Sequence, residues 1–222
     1  MKKLYHLNII TIAILLLAIL PLNTIAKTEV YFSLLDDPQS VIINNINKAG
    51  ESINIAMYSF TEGEIAKAVV KAHNRGVAVK VYLDSRDISN EHSKSRFLIN
   101  EGIEDIRISS GYSNHNKFAI IDNSIVITGS YNWTASAGSR NDENLLVIDD
   151  TYIVQRYHDY FYYLWDNKYS VKRYEELLRH PGIRLQEPVS ESKQNHFLVY
   201  KNMLLRYMVT QAENLCEFLK GR

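Results

Sequence analysis

The sequence predicts an α/β fold, with helices laid against a sheet, and three observations carry that prediction. Short apolar stretches with strand-like alternation recur at residues 30–35, 52–60 and 77–83. Between them lie amphipathic segments with helix start signals, one at Pro38 and one at Thr61–Glu64. The resulting strand–helix–strand–helix–strand rhythm belongs to layered α/β proteins. The chain of 222 residues, 46% hydrophobic and 23% charged, is long enough for one such domain plus an appendage.

The elements follow in order. Residues 1–26 read as an export signal: Lys2 and Lys3 supply the positive end, Ile9–Leu20 the apolar run, and Thr24-Ile25-Ala26 a small-residue cleavage site. The apolar run is short for a membrane span. Cleavage after Ala26 would leave an exported product, periplasmic or secreted, and an uncleaved anchor is the alternative. A first strand is expected over 30–35. Pro38 then opens a helix whose Val41, Ile42 and Ile46 share a face. In the strand 52–60, Ile53, Ile55 and Met57 take one side. Thr61 and Glu64 have capping-box spacing for a helix through His73, which Gly76 ends, and 77–83 alternates as another strand.

A polar loop, 84–94, follows at that strand's carboxyl end, where α/β proteins tend to place ligands. It contains His92-Ser93-Lys94, but no Asp or Gly-Ser-x-Asn follows at the spacing met later, so it reads as solvated loop entering a helix at 95–101. A strand at 103–108 and a loop at 109–114 lead to His115. Residues 117–121 form an apolar strand, 122–124 a turn, and 125–128 the returning strand. Strand alternation points His115 and Lys117 the same way, sets Ser130 and Asn132 on one face, and turns Tyr131 and Trp133 inward. Thr134 caps a short Ala/Ser turn, 145–148 is a buried strand, and 151–167 is an aromatic helix whose stripe suits core or subunit contact.

His115, Lys117, Asp122, Gly129, Ser130 and Asn132 thus stand in a fixed pattern, followed by Glu143 and Asn144. A chance match to those six identities is on the order of a few in a million for a chain of this length. The residue types suit phosphate-ester chemistry. An imidazole attacks phosphorus or transfers a proton, an ammonium faces the charge that develops on the phosphate oxygens, and a hydroxyl and an amide can bind the same anion.

This pattern resembles the HKD motif of the phospholipase D superfamily. It is most similar to the small bacterial endonucleases of that superfamily, which carry one motif per chain and act as homodimers. The resemblance runs from about Val30 to Asp166, through Ile53–Phe60, Arg75–Asp84 and Arg140–Asn144. It implies a phospholipase D-like α/β/α sandwich with a mixed central sheet over 27–169, followed by a helical C-terminal extension over 170–222. It also implies His115, Lys117, Asp122 and Glu143 as catalytic residues, Ser130 and Asn132 as substrate-binding residues, and no metal or other cofactor.

Cleavage through a covalent intermediate needs a nucleophile on one side of phosphorus and a proton donor on the other. One histidine cannot occupy both sides, so a single motif implies a homodimer that completes the site. Glu143 would hold the Nδ1 hydrogen of a histidine, as the carboxylate of a triad does. Asp122 has the wrong parity for the His115–Lys117 face and is expected to orient its neighbours.

Composition narrows the substrate less. Formal net charge is zero, which excludes a global field for nucleic acid or an anionic membrane. Residues 27–170 carry 14 Lys and Arg against 19 Asp and Glu, a net of −5, so a nucleic-acid site needs local cations. Residues 171–222 are net +3, and 197–219 contain an amphipathic helical pattern that could pack on the domain, strap a dimer or lie on a membrane. The one cysteine, Cys216, permits no disulfide within the chain, and no Cys/His set has zinc spacing. The expectation is a phosphodiesterase acting on nucleic acid, with phospholipid as the alternative substrate.

Overall fold

The computed structural model describes residues 26–87, 90–109 and 112–166 and the backbone of a last strand, 171–173. The apolar signal run, Cys216 and the amphipathic 197–219 pattern lie outside the described residues. Strands β1 (Thr28–Phe32), β2 (Ser52–Met57), β3 (Ala78–Leu83), β4 (Ile106–Ser109), β5 (Lys117–Ile121), β6 (Ile125–Gly129), β7 (Asn144–Ile148) and β8 (Val171–Arg173) form one sheet. Its order is β1-β7-β6-β5-β2-β3-β4-β8. β2, β3 and β4 run parallel, while β5, β6, β7, β1 and β8 join antiparallel, so the sheet is mixed as expected.

The alternation read from the sequence divides two cores. Ile53, Ile55, Met57, Val81, Leu83, Ala119 and Ile127 face one side. There they meet helices α1 (Pro38–Lys48), α2 (Gly63–Asn74), α3 (Ser95–Asn100) and the short α4 (Ala135–Ser139) through Ile42, Ile46, Ile65, Val69, Leu98 and Ala137. Ala56, Tyr82, Phe118, Ile120 and Val126 face the other side and are covered by helix α5 (Thr151–Asp166) through Val154, Phe161 and Trp165. The aromatic stripe of α5 is therefore core. Phe161 and Trp165 stack at 5.6 Å, and Phe118 meets Tyr157 edge-on at 5.0 Å. Each fully buried side chain of this kind stabilises the fold by roughly 1.5–3 kcal/mol.

Several boundaries differ from the expectation. Helix α2 is capped by Glu62, whose side chain accepts from Glu64 N at 3.3 Å, and not by Thr61. Thr61 N and Glu62 N both donate to Trp133 O at 2.8 Å, so that stretch is committed to pairing and the helix starts after it. For the same reason β2 ends at Met57, and Phe60 forms a separate bridge with Trp133. β4 begins at Ile106 because Ile103 N closes the end of α3 by donating to Leu98 O at 3.0 Å. β8 pairs with β4 through Arg107–Arg173, Ile108–Lys172 and Ser109–Val171 and forms the last strand of the sheet.

Candidate active site

The registers bring the motif to one edge of the sheet. Met57 pairs with Lys117, Phe118 with Thr128, Gly129 with Leu145, and Phe32 with Asn144. The ends of β1, β2 and β6 and the starts of β5 and β7 therefore lie side by side, beside the carboxyl end of β3. Of the residues predicted for the site, five gather here: His115, Lys117, Ser130, Asn132 and Glu143.

Asp122 does not. It lies at the far end of β5, roughly 16 Å of strand from Lys117. Its Oδ2 accepts from Gly50 N at 2.9 Å, and its Oδ1 from Glu51 N at 2.8 Å and Ser52 N at 2.9 Å. With Asn123 it also forms the hairpin turn, both residues having positive φ, 50° and 49°. Burial alone would push its carboxyl pKa up, but the three backbone donors outweigh that and hold it below the usual carboxylate range. In the folded chain it staples β2 to the β5–β6 turn, in keeping with the expectation that it orients its neighbours.

The imidazole of His115 is exposed, two side chains touch it, and a buried neighbour fixes its backbone. Lys117 Nζ lies 3.2 Å from Nδ1 and donates to the His115 carbonyl at 2.9 Å. The Tyr58 ring lies 4.4 Å away at 47°. Asn114, buried just before it, donates to Met57 O at 3.4 Å and Tyr82 O at 3.2 Å, and its Oδ1 accepts from Asn116 Nδ2 at 2.8 Å. Lys117 also lies 5.0 Å from the centre of the Tyr58 ring. Burial lowers the Lys117 pKa, and the nearby Glu143 carboxylate opposes that shift.

Ser130 and Glu143 form the other wall. Ser130 N and Tyr131 N both donate to Asn144 O, at 3.1 and 3.3 Å, so two residues oppose one in a bulge that re-aims Ser130. Ser130 Oγ donates to Glu143 Oε2 and accepts from Asn144 N at 3.1 Å. Within the chain this hydroxyl braces the carboxylate. Glu143 Oε1 accepts from Asn141 Nδ2 at 3.0 Å, and Glu143 N donates to Ser33 Oγ at 2.7 Å. The Nδ1 neighbour of His115 within the chain is thus Lys117, while Glu143 is held by Ser130 and Asn141. Asn132 is half-buried, and its Oδ1 has no hydrogen-bond partner among the described residues, the kind of orphan a ligand satisfies. Tyr131 and Trp133 are buried, as expected.

Gly129 is required by this bulge. Its φ is 141°, and a Cβ there would sit 2.3 Å from Asn144 O. Gly129→Ala is expected to destabilise the domain by at least about 3 kcal/mol. A denaturation midpoint equal to the parent's would refute the crowding argument.

The sequence reading missed Tyr58, Asp84 and Ser33. Asp84, fully buried at the end of β3, accepts from Asn114 N at 2.7 Å and Ser113 Oγ at 2.9 Å, so it fixes the loop that delivers His115. An Asp closing an apolar strand was the available signal for it. Tyr58 and Ser33 gave none, since only the folded registers carry them to the site. In the next part of the loop, burial pushes the Asp87 carboxyl up to about 6 against donors that include Ser93 and Phe60 N. The His92-Ser93-Lys94 triplet is loop, with His92 largely exposed, as expected. No group of three or more His, Cys, Asp or Glu side chains comes together among the described residues.

An imidazole and an ammonium side by side at a sheet edge, with a braced carboxylate nearby, form an anion-handling site of the kind that phosphoryl transfer uses. A family model described as cardiolipin synthase, PLD-like domain, matches residues 42–165, and the chain belongs to the phospholipase D superfamily. It is 30% identical to Nuc from Salmonella typhimurium, a phospholipase D family member, with a TM-score of 0.62 over 68% of this chain and 99% of that one. NucT from Helicobacter pylori is 28% identical, with a TM-score of 0.61 over 64% of this chain and 97% of that one. A Rickettsia conorii protein named phospholipase D is 40% identical over 117 residues, 52% of this chain and 58% of its own. A Xenopus tropicalis mitochondrial cardiolipin hydrolase is 38% identical over 120 residues, 53% of this chain and 56% of its own. The chain thus spans a little over half the length of these curated relatives.

Proposed function

We propose that this protein is a metal-independent phosphodiesterase that cleaves nucleic acid through a phosphohistidine intermediate, in a site completed by a second copy of the chain. The observation that carries this reading is the exposed His115 imidazole with Lys117 Nζ at 3.2 Å. A histidine so placed can meet a phosphorus and, with its twin, stand on both sides of it. One His115 attacks phosphorus, forming an N–P bond as the P–O bond to the leaving group breaks. The His115 of the second copy gives its proton to the leaving oxygen. That imidazole then takes a proton from water, which attacks phosphorus and breaks the N–P bond. Lys117 and Asn132 bind the non-bridging oxygens, and Glu143, braced by Ser130, is offered to the Nδ1 hydrogen of an imidazole.

Nucleic acid is favoured by the single motif and by the likeness to Nuc over nearly all of that chain. Phospholipid is the second reading. Phe32, Leu34 and Leu35 are exposed beside Ser33, itself bonded to Glu143 N, and so give the site an apolar rim. Export from the cell remains part of the proposal, resting on residues 1–26; among the described residues no helix is long and apolar enough to cross a membrane.

The test offers single-stranded DNA, duplex DNA and phosphatidylcholine vesicles to the purified protein in EDTA. DNA cleavage that persists in EDTA is the expected result. Choline release without DNA cleavage would replace the substrate, and complete inhibition by EDTA would overturn the chemistry.

A further inference from the structure

We propose that Arg86 forms a second phosphate subsite, gripping a phosphate next to the scissile one on a polynucleotide strand; this rests on the nucleic-acid reading above. Four observations support it. The buried Asp84 carboxylate that fixes the His115 loop also accepts from Arg86 N and Arg86 Nε, each at 3.0 Å. Arg86 Nη2 donates to Ser113 Oγ at 2.5 Å, in that same loop. The guanidinium is therefore set in place relative to His115 by shared partners, yet its side chain is 63% exposed. Finally, its Cζ lies 5.0 Å from the centre of the Tyr58 ring, the ring whose other neighbours are His115 and Lys117.

Tyr58 is thus the hub of three nitrogen groups. The two legs through its ring, 4.4 and 5.0 Å, bound the separation between guanidinium and imidazole at under about 10 Å. A duplex strand carries a phosphate every ~3.4 Å of axis. The phosphate next to the scissile one therefore falls within reach of Arg86 while the scissile one meets His115. An arginine suits this work, since its planar fork binds two phosphate oxygens at once. Local cations are also what a domain with 14 basic against 19 acidic residues over 27–170 needs in order to hold a polyanion. A buried carboxylate needs a charged partner, and that need explains the Asp84–Arg86 pair. It does not by itself explain why the exposed guanidinium lies against the ring that also touches His115 and Lys117.

The experiment compares the parent protein, Arg86→Gln and Arg86→Lys on two substrates. Bis(p-nitrophenyl) phosphate has one phosphate, and a short oligothymidylate has a neighbour on each side. In Arg86→Gln the ratio of kcat/KM for the oligonucleotide to that for the small diester is expected to fall about tenfold, through KM. The log–log dependence of oligonucleotide KM on salt should become shallower by about 1. Arg86→Lys should restore the salt slope and only part of the ratio, because the charge returns without the fork. An unchanged ratio, or equal losses on both substrates, would overturn the subsite and leave Arg86 as a brace for the His115 loop. A parent enzyme that turns over the diester but leaves the oligonucleotide intact would defeat the nucleic-acid reading itself, and the subsite with it.

Discussion

Replacing His115 with alanine is expected to lower turnover at least about 10⁴-fold while leaving the melting temperature near that of the parent. The exposed imidazole lies tilted against Tyr58 and is touched by Lys117, so removing it opens no cavity in either core. In the proposed dimer the substitution removes both the nucleophile and the proton donor, which is why the loss should exceed that for a single general acid. Phosphate should be found on His115 when the parent enzyme is quenched at alkaline pH during turnover, and not in His115→Asn. A His115→Ala enzyme retaining a tenth of parental activity would end the covalent scheme.

Asp122→Ala is expected to have the opposite signature: a loss of about 3 kcal/mol in stability, roughly 10 °C in Tm, with kcat of the folded fraction changed by less than about threefold. Three backbone N–H groups at the start of β2 lose their common acceptor, and the Asp122–Asn123 turn loses its first residue. Asp122→Asn should recover about half, since its carbonyl can serve two donors while its amide nitrogen opposes the third. The pH dependence has a definite sign. The folded carboxyl lies below the unfolded value of about 3.9, so its contribution is fully present above that pH and is lost as pH falls through the folded value. The stability gap between parent and Asp122→Ala should hold near neutrality and close in acid. A folded variant with parental Tm and no activity would instead make Asp122 a participant in the chemistry.

Asp122 thus has a structural reason for its fixed spacing within the motif. Asp122 follows Lys117 by the length of one strand, because β5 must cross the sheet before its turn can staple Gly50–Ser52. Gly129 follows because β6 must return the same distance and then pinch against Asn144. Residue parity in the sequence separates Asp122 from the His115 face, but it cannot say what the carboxylate binds, since Gly50 is 72 residues away.

Local chemistry determined much of this protein in advance. Alternation along β2, β5 and β6 assigned the two faces of the sheet, Pro38 and Thr134 marked helix starts, and His115, Lys117, Ser130, Asn132 and Glu143 were legible as one motif because their types and spacing are specific. Strand registers decided the rest. Tyr58, Ser33 and the Asp84–Arg86 pair reach the site from three separate stretches, and no periodicity within any of them records which end of which strand lies beside His115. That information resides in hydrogen-bond pairing between distant segments, which exists only once the sheet has formed.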